Sequence, residues 1–238
     1  ISGDPMGTGT GSDPGPAPVP DPVPVTPKLD VTIDMPTMST ELLSTNMVTV
    51  SLHASGGLTG SVALTASAVD GAGAPLAAWT VTLDKATVDL AADGTATAVA
   101  TLKVPSDSAA VQGTVKVEAT GGAGAVTSSA SSAVSVAKVL TVPITLDANG
   151  KCVYPQSMVG TVKVKNGTLI RWLNNSQASI TIHISEQDPD KIGGLSHEQG
   201  ATAAGKTYEQ TVAATSGSTD WYCHNLNDPK NMRLEAVP

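Results

Sequence analysis

The fold class is decided by residues 95–120, TATAVATLKVPSDSAAVQGTVKVEAT. In its two halves, 95–104 and 114–120, small apolar or β-branched side chains alternate with Thr, Lys and Glu. Successive side chains of an extended strand point to opposite faces, so this alternation gives each segment one apolar and one polar face. The stretch therefore predicts two β-strands, each half-buried.

The same alternation recurs on both sides of this stretch, at 29–35, 47–53, 61–67, 79–83 and 125–136. Turn signals separate the runs at Gly56-Gly57, Asp70-Gly71, Asp93-Gly94 and Gly121-Gly122. Strands at this spacing, with no amphipathic helix between them, predict an Ig-like β-sandwich over residues 28–138. It resembles the Ig-like modules that bacteria use as spacers, and its one histidine, His53, is alone on a strand.

Residues 1–27 have a different composition, with half of the 16 prolines of the chain and no Lys or Arg. Such a segment has little to bury and few backbone donors, so we expect an extended Pro/Gly-rich linker. This tether is typical of exported, surface-attached proteins, and a lipid-modified cysteine upstream of Ile1 is compatible with it.

The overall composition bounds the function of the chain. The 238 residues are enough for two domains, and the charge of -8 argues against a nucleic-acid partner, which needs clustered Lys and Arg. No run of about 20 apolar residues suggests a transmembrane segment. No nucleophile elbow, Walker loop or dinucleotide fingerprint lies at a strand–helix junction, so we do not expect an enzyme.

Residues 139–238 hold five of the six aromatic side chains, three of the four histidines and both cysteines. This domain is also predicted to consist of β-strands. They are expected at 142–147, 161–167, 168–174, 179–185, 206–212, 218–224 and 232–237. Any metal or redox chemistry of the chain is therefore expected here.

The C-terminal domain resembles the cupredoxins, the small copper-binding β-barrels. The resemblance begins at Val153-Tyr154-Pro155 and continues through Gly167-Thr-Leu-Ile-Arg-Trp-Leu-Asn-Asn175 and a strand carrying His183. It ends with Asp220-Trp-Tyr-Cys-His224 and a methionine nine residues after Cys223. The resemblance implies a cupredoxin-like Greek-key β-barrel for this domain. Together with the Ig-like β-sandwich predicted before it, the whole chain is expected to be all-β.

The resemblance also implies a ligand set, with His183, Cys223 and His224 as strong copper ligands and Met232 as a weak axial one. A thiolate, two imidazoles and a soft thioether suit copper in both oxidation states. The implied function is copper binding with one-electron transfer to a redox partner protein, or copper handling at a cell surface.

Two alternatives remain open, because His224 follows Cys223 directly and neighbouring side chains of a strand face opposite ways. In the first, which is similar to multicopper oxidases, His183 and His224 form a histidine-only site on the other face, together with His197. In the second, Cys152 and Cys223 form a disulfide and no thiolate is left for copper. The domain would then be a metal-free structural part of a surface or assembly protein. In each case we expect a periplasmic, cell-surface or extracellular protein.

Overall fold

The computed structural model describes residues 25–122, 125–185, 190–224 and 232–238. Within these ranges the regular structure is β throughout, apart from 3-10 geometry at Gln156–Met158 and at His224, so the all-β prediction is confirmed. The linker predicted at 1–27 lies, up to residue 24, outside the described residues. None of the described residues forms a helix of the length and apolarity that a membrane crossing requires.

Two sheets form the N-terminal sandwich. One contains, in spatial order, β1 (Lys28–Ile33), β3 (Thr45–Ser55), β7 (Thr95–Lys103) and β5 (Thr80–Leu83). The other contains β2 (Thr37–Glu41), β9 (Val126–Ala137), β8 (Gln112–Gly121), β4 (Gly60–Val69) and β6 (Thr87–Leu90). The predicted alternation is what fills the core, since Val50 and its cross-strand partner Ala98 are both buried.

Two strands of this sandwich, β2 and β6, were not predicted. Each is only four or five residues long, and at least half of its residues are polar, so alternation gives a weak signal. Tertiary pairing forms them: β2 runs parallel to β9, and β6 pairs with the start of β4.

Two four-stranded sheets form the C-terminal sandwich. The first has the order β11 (Cys152–Val153), β10 (Val139–Leu146), β13 (Leu169–Asn174) and β15 (Thr207–Thr211). The second has the order β12 (Gly160–Lys165), β17 (Met232–Val237), β16 (Ser218–Cys223) and β14 (Ile182–Ile184). Trp172 of the first sheet and Trp221 of the second are fully buried, and their ring centroids lie 5.9 Å apart. The indoles therefore form the centre of the core between the two sheets.

A disulfide joins these two sheets, from Cys152 on β11 to Cys223 on β16. A tight turn delivers Cys152: the carboxylate of Asp147 accepts hydrogen bonds from the backbone N–H groups of Lys151 and Asn149, each at 2.8 Å. These hydrogen bonds, that from Lys151 foremost, lower the pKa of Asp147 because they favour the ionised form. The turn sets β11 beside the end of β10, with Cys152 opposite Leu146.

The two sandwiches meet at Glu41, the last residue of β2. Its carboxylate accepts one hydrogen bond from the Nη1 of Arg171 at 2.8 Å and another from the hydroxyl of Thr141 at 2.6 Å. Arg171 also donates from Nε to Glu209, and this hydrogen bond, with the charge of both carboxylates, raises the pKa of the guanidinium. The backbone N–H of Leu42 donates to the carbonyl of Val139. Polar contacts thus bind the end of the first sandwich to the start of the second.

Candidate metal centre

The pairing of β14 with β16 places two histidines on one surface of the C-terminal domain. His183 lies opposite Tyr222, and Ile182 lies opposite Cys223. Because strand side chains alternate, the buried Ile182 and Cys223 face the core, whereas His183 and Tyr222 face outward. His224 is two residues after Tyr222 and lies on the same outer face. Its ring centroid is 5.0 Å from that of His183, with the planes inclined by only 20°.

A third histidine, His197, approaches from the segment that connects β14 to β15. This segment is fastened to the sandwich by Ile192, which is buried and whose N–H donates to the hydroxyl of Thr219 at 2.8 Å. Gly194 lies at φ +85, and a Cβ there would meet the carbonyl oxygen of Thr211 at 2.2 Å. Only glycine permits this close approach, so the path of the segment is set before it reaches His197.

Glu198, the next residue, clamps the segment onto β14. Its carboxylate accepts hydrogen bonds from the N–H of Ile182 and the hydroxyl of Thr202, both at 2.8 Å. Its own N–H donates to the carbonyl of Ile182 at 3.0 Å. The buried side chain of Glu198 therefore ties the neighbour of His197 to the neighbour of His183.

The backbone of His224 is held equally firmly. Its N–H donates to the carbonyl of Thr181 at 3.0 Å, and the hydroxyl of Thr181 donates to the carbonyl of Gly200 at 2.9 Å. On the other side, the disulfide fixes the adjacent Cys223 to the opposite sheet. Neighbours of all three histidines are thus anchored independently of any metal.

These three imidazoles, which we call the histidine cluster (His183, His197 and His224), converge. Their candidate donor nitrogens lie within 4.8 Å of one another. The ring of His183 is 4.4 Å from that of His197 and 4.5 Å from that of Tyr222, centroid to centroid. Imidazole nitrogens suit zinc, copper and nickel, with a distance of about 2.0–2.1 Å to zinc, so the cluster is a candidate site for one such ion.

The four ligands implied by the cupredoxin resemblance do not converge. Met232 begins β17, where it alternates inward with Leu234 and is 1% exposed, and Cys223 is 1% exposed and disulfide-bonded. His183 and His224 point to the opposite face of the same sheet. In the structure, the expected set of His183, Cys223, His224 and Met232 is divided between two faces, because its sulfurs face the core and its imidazoles face outward, and a cystine sulfur offers no thiolate.

Sequence reasoning identified His197 as a companion of His183 and His224, but it missed Glu198 and the outward placement of Tyr222 beside His183. Alternation gave a signal for Tyr222, because it lies two residues before His224. Glu198 had no such signal, because a carboxylate in a connecting segment reads as solvated until tertiary contacts bury it.

No protein-family model matches the chain, and no curated protein matches it either. Among solved structures, a family 123 glycoside hydrolase from Clostridium perfringens is 9% identical with a TM-score of 0.37. That similarity covers 46% of this chain and 27% of the hydrolase chain, so this chain matches only about a quarter of the hydrolase's length.

Two other solved structures show similarly low similarity to this chain. A purple cupredoxin from Nitrosopumilus maritimus is 16% identical over 41% of this chain and 98% of its own, with a TM-score of 0.31. The chaperone DraB from E. coli is 11% identical over 89% of this chain and 97% of its own, with a TM-score of 0.32. Both similarities are weak, and neither assigns the chain to a family.

Proposed function

We propose that this chain is an exported β protein of a cell surface or periplasm whose C-terminal domain binds one copper ion through His183, His197 and His224. The observation that carries the proposal is the convergence of three imidazoles, with donor nitrogens within 4.8 Å of one another, on anchored backbone.

The chemistry of the donors favours a divalent transition metal. Imidazole suits zinc, copper and nickel, and at a site of fixed ligands the affinity peaks at Cu²⁺ in the first-row series. The cluster contains no thiolate, so it lacks the donor that gives blue copper sites their rapid one-electron chemistry. Binding and handling of copper is therefore the better-supported role, and one-electron transfer to a partner protein is the weaker one.

The rest of the chain supports a position outside the cytosol. A buried disulfide between two sheets is typical of proteins that fold in oxidising compartments. The N-terminal sandwich contains none of the metal-binding cluster, and its polar contacts with the second sandwich suit a spacer that presents the C-terminal domain.

Copper titration followed by calorimetry and electron paramagnetic resonance tests the proposal. We expect one Cu²⁺ per chain, with nitrogen hyperfine structure from imidazole. Alanine at His183, His197 or His224 should weaken binding by more than the roughly 10–100-fold that loss of a supporting residue costs.

His53→Ala is the matched control, because His53 is an exposed histidine on β3 of the other sandwich. It should bind copper like the wild type. Stoichiometric binding that survives all three cluster substitutions would place the copper elsewhere, and no binding at all would refute the proposal.

A second candidate function is a metal-free structural component of a surface or an assembly. The disulfide favours it, because the cystine stabilises the C-terminal sandwich without any metal. The same titration separates the two candidates, since a structural component takes up no stoichiometric copper and gains no thermal stability from it.

A further inference from the structure

The protein side of the proposed copper site provides few ligands. Among the described residues, the histidine cluster supplies three donors, with no carboxylate or thiolate in the group. A tetrahedral or tetragonal metal ion takes four or more ligands, and three protein ligands plus one open position is the arrangement of exchangeable rather than closed sites.

The three donors also approach the ion from one side. His183 and His224 rise from the outer face of one sheet, and His197 comes from the segment held beside the end of that sheet by Glu198. His183 and His197 are half-buried, whereas His224 is exposed. Among the described residues, the sheet covers one side of an ion held by these rings, and the exposed His224 marks its open side.

The charge balance at the site favours an anion. Neutral imidazoles leave the full charge of Cu²⁺ uncompensated. Glu198 is the nearest carboxylate along the chain, but it is 8% exposed and already accepts hydrogen bonds from Ile182 and Thr202. The carboxylate of Glu198 is therefore occupied by these two hydrogen bonds and does not offset the charge of the ion.

We infer that copper bound by the histidine cluster keeps one coordination position facing solvent and takes a small anion there, in exchange for water and with no change in its oxidation state. The inference rests on the proposed function and adds a ligand class to it. The site would then act on, or be regulated by, small anionic Lewis bases that reach the surface of the domain.

Azide titration of the copper-loaded full chain tests this inference. Copper is first quantified by metal analysis after gel filtration, so that occupancy is known. We expect azide to produce a saturable azide-to-copper charge-transfer band, to change the paramagnetic resonance spectrum, and to leave the copper content unchanged after a second gel filtration.

The outcomes separate the inference from the proposed function. Protein that retains no copper in the first step refutes both. Stoichiometric copper whose spectra do not respond to azide refutes the inference alone, since the ion would then be coordinatively closed. Loss of copper in step with the spectral change also refutes it, because azide would then be removing the ion rather than joining it. His53→Ala should repeat the wild-type result.

Discussion

At the residue scale, the step from Cys223, the last residue of β16, to His224 decides the chemistry of the C-terminal domain. Cys223 faces the core and forms the disulfide, whereas His224 faces outward and joins the histidine cluster. Alternation at the end of β16, together with the hydrogen bond from His224 N–H to the carbonyl of Thr181, therefore assigns these adjacent residues to different tasks. One forms a covalent link between the sheets, and the other belongs to the surface site.

Much of this was accessible from the sequence. The direct adjacency of Cys223 and His224 left open a histidine-only alternative to the cupredoxin ligand set, with His183 and His197 as the partners of His224. The choice between thiolate and disulfide was not accessible, because it depends on whether the turn at Asp147 brings Cys152 opposite β16. That placement follows from long-range packing rather than from local pattern.

We expect Glu198 to act as a positioning residue of the copper site. In Glu198→Ala, the N–H of Ile182 and the hydroxyl of Thr202 lose their acceptor, so the segment carrying His197 loosens. Copper affinity should fall about 10–100-fold, the usual effect of losing a supporting partner. A chelator-competition titration measures it, beside thermal unfolding of the metal-free protein.

Glu198→Gln is the conservative comparison, since its amide oxygen still accepts one of the two hydrogen bonds. It should recover part of the copper affinity. If Glu198→Ala lowers thermal stability but binds copper as tightly as the wild type, the residue is structural only. The change in affinity relative to the change in stability is therefore the informative quantity.

At the element scale, periodicity predicted the long strands that bury alternate side chains, such as β3, β7, β8 and β17, and also three short ones, β5, β14 and β15. The strands it missed are β2, β6 and β11, the last only two residues long. Short strands gain their stability from neighbours: β2 from β9, and β11 from the Asp147 turn and the disulfide. Local pattern carries little information about such partners.

Removal of the disulfide should destabilise the C-terminal sandwich without removing the copper site. The bond joins residues separated by 71 positions, and its effect on the unfolded chain is worth about 4 kcal/mol in the loop-entropy model. The free energy of unfolding of the Cys152→Ser/Cys223→Ser variant should fall by about that amount. Denaturant titration with tryptophan fluorescence measures the change.

Wild-type protein that is reduced after unfolding and kept in reductant provides the comparison, and it should match the double variant. The double variant should still bind one Cu²⁺, since the histidine cluster contains no sulfur. If copper binding disappears in Cys223→Ser while the fold persists, Cys223 is a copper ligand, as the cupredoxin resemblance implies. An intense thiolate-to-copper band in the wild type would lead to the same conclusion.

At the scale of the whole molecule, we expect Glu41 to hold the two sandwiches in one orientation. In Glu41→Ala, Arg171 keeps its hydrogen bond to Glu209 but loses its partner across the junction, as does Thr141. The pair is partly exposed, so the free energy of unfolding should change by no more than about 1 kcal/mol. The two sandwiches should nevertheless begin to tumble separately, as ¹⁵N relaxation would show.

Glu118→Ala is the matched control for this prediction, because it breaks the exposed pair of Lys116 with Glu118 within the first sandwich. It should leave the common tumbling unchanged. Separate tumbling in the wild type, or an unchanged correlation time in Glu41→Ala, would contradict a rigid junction held by Glu41.

The junction itself has a mechanical consequence. Only Lys138 separates the end of β9 at Ala137 from the start of β10 at Val139, so the chain passes from one sandwich to the other without slack. Because the contacts of Glu41 brace this short connection, a rotation imposed on the first sandwich is transmitted to the second. The orientation of the face that carries the histidine cluster is thus determined by the orientation of the N-terminal sandwich.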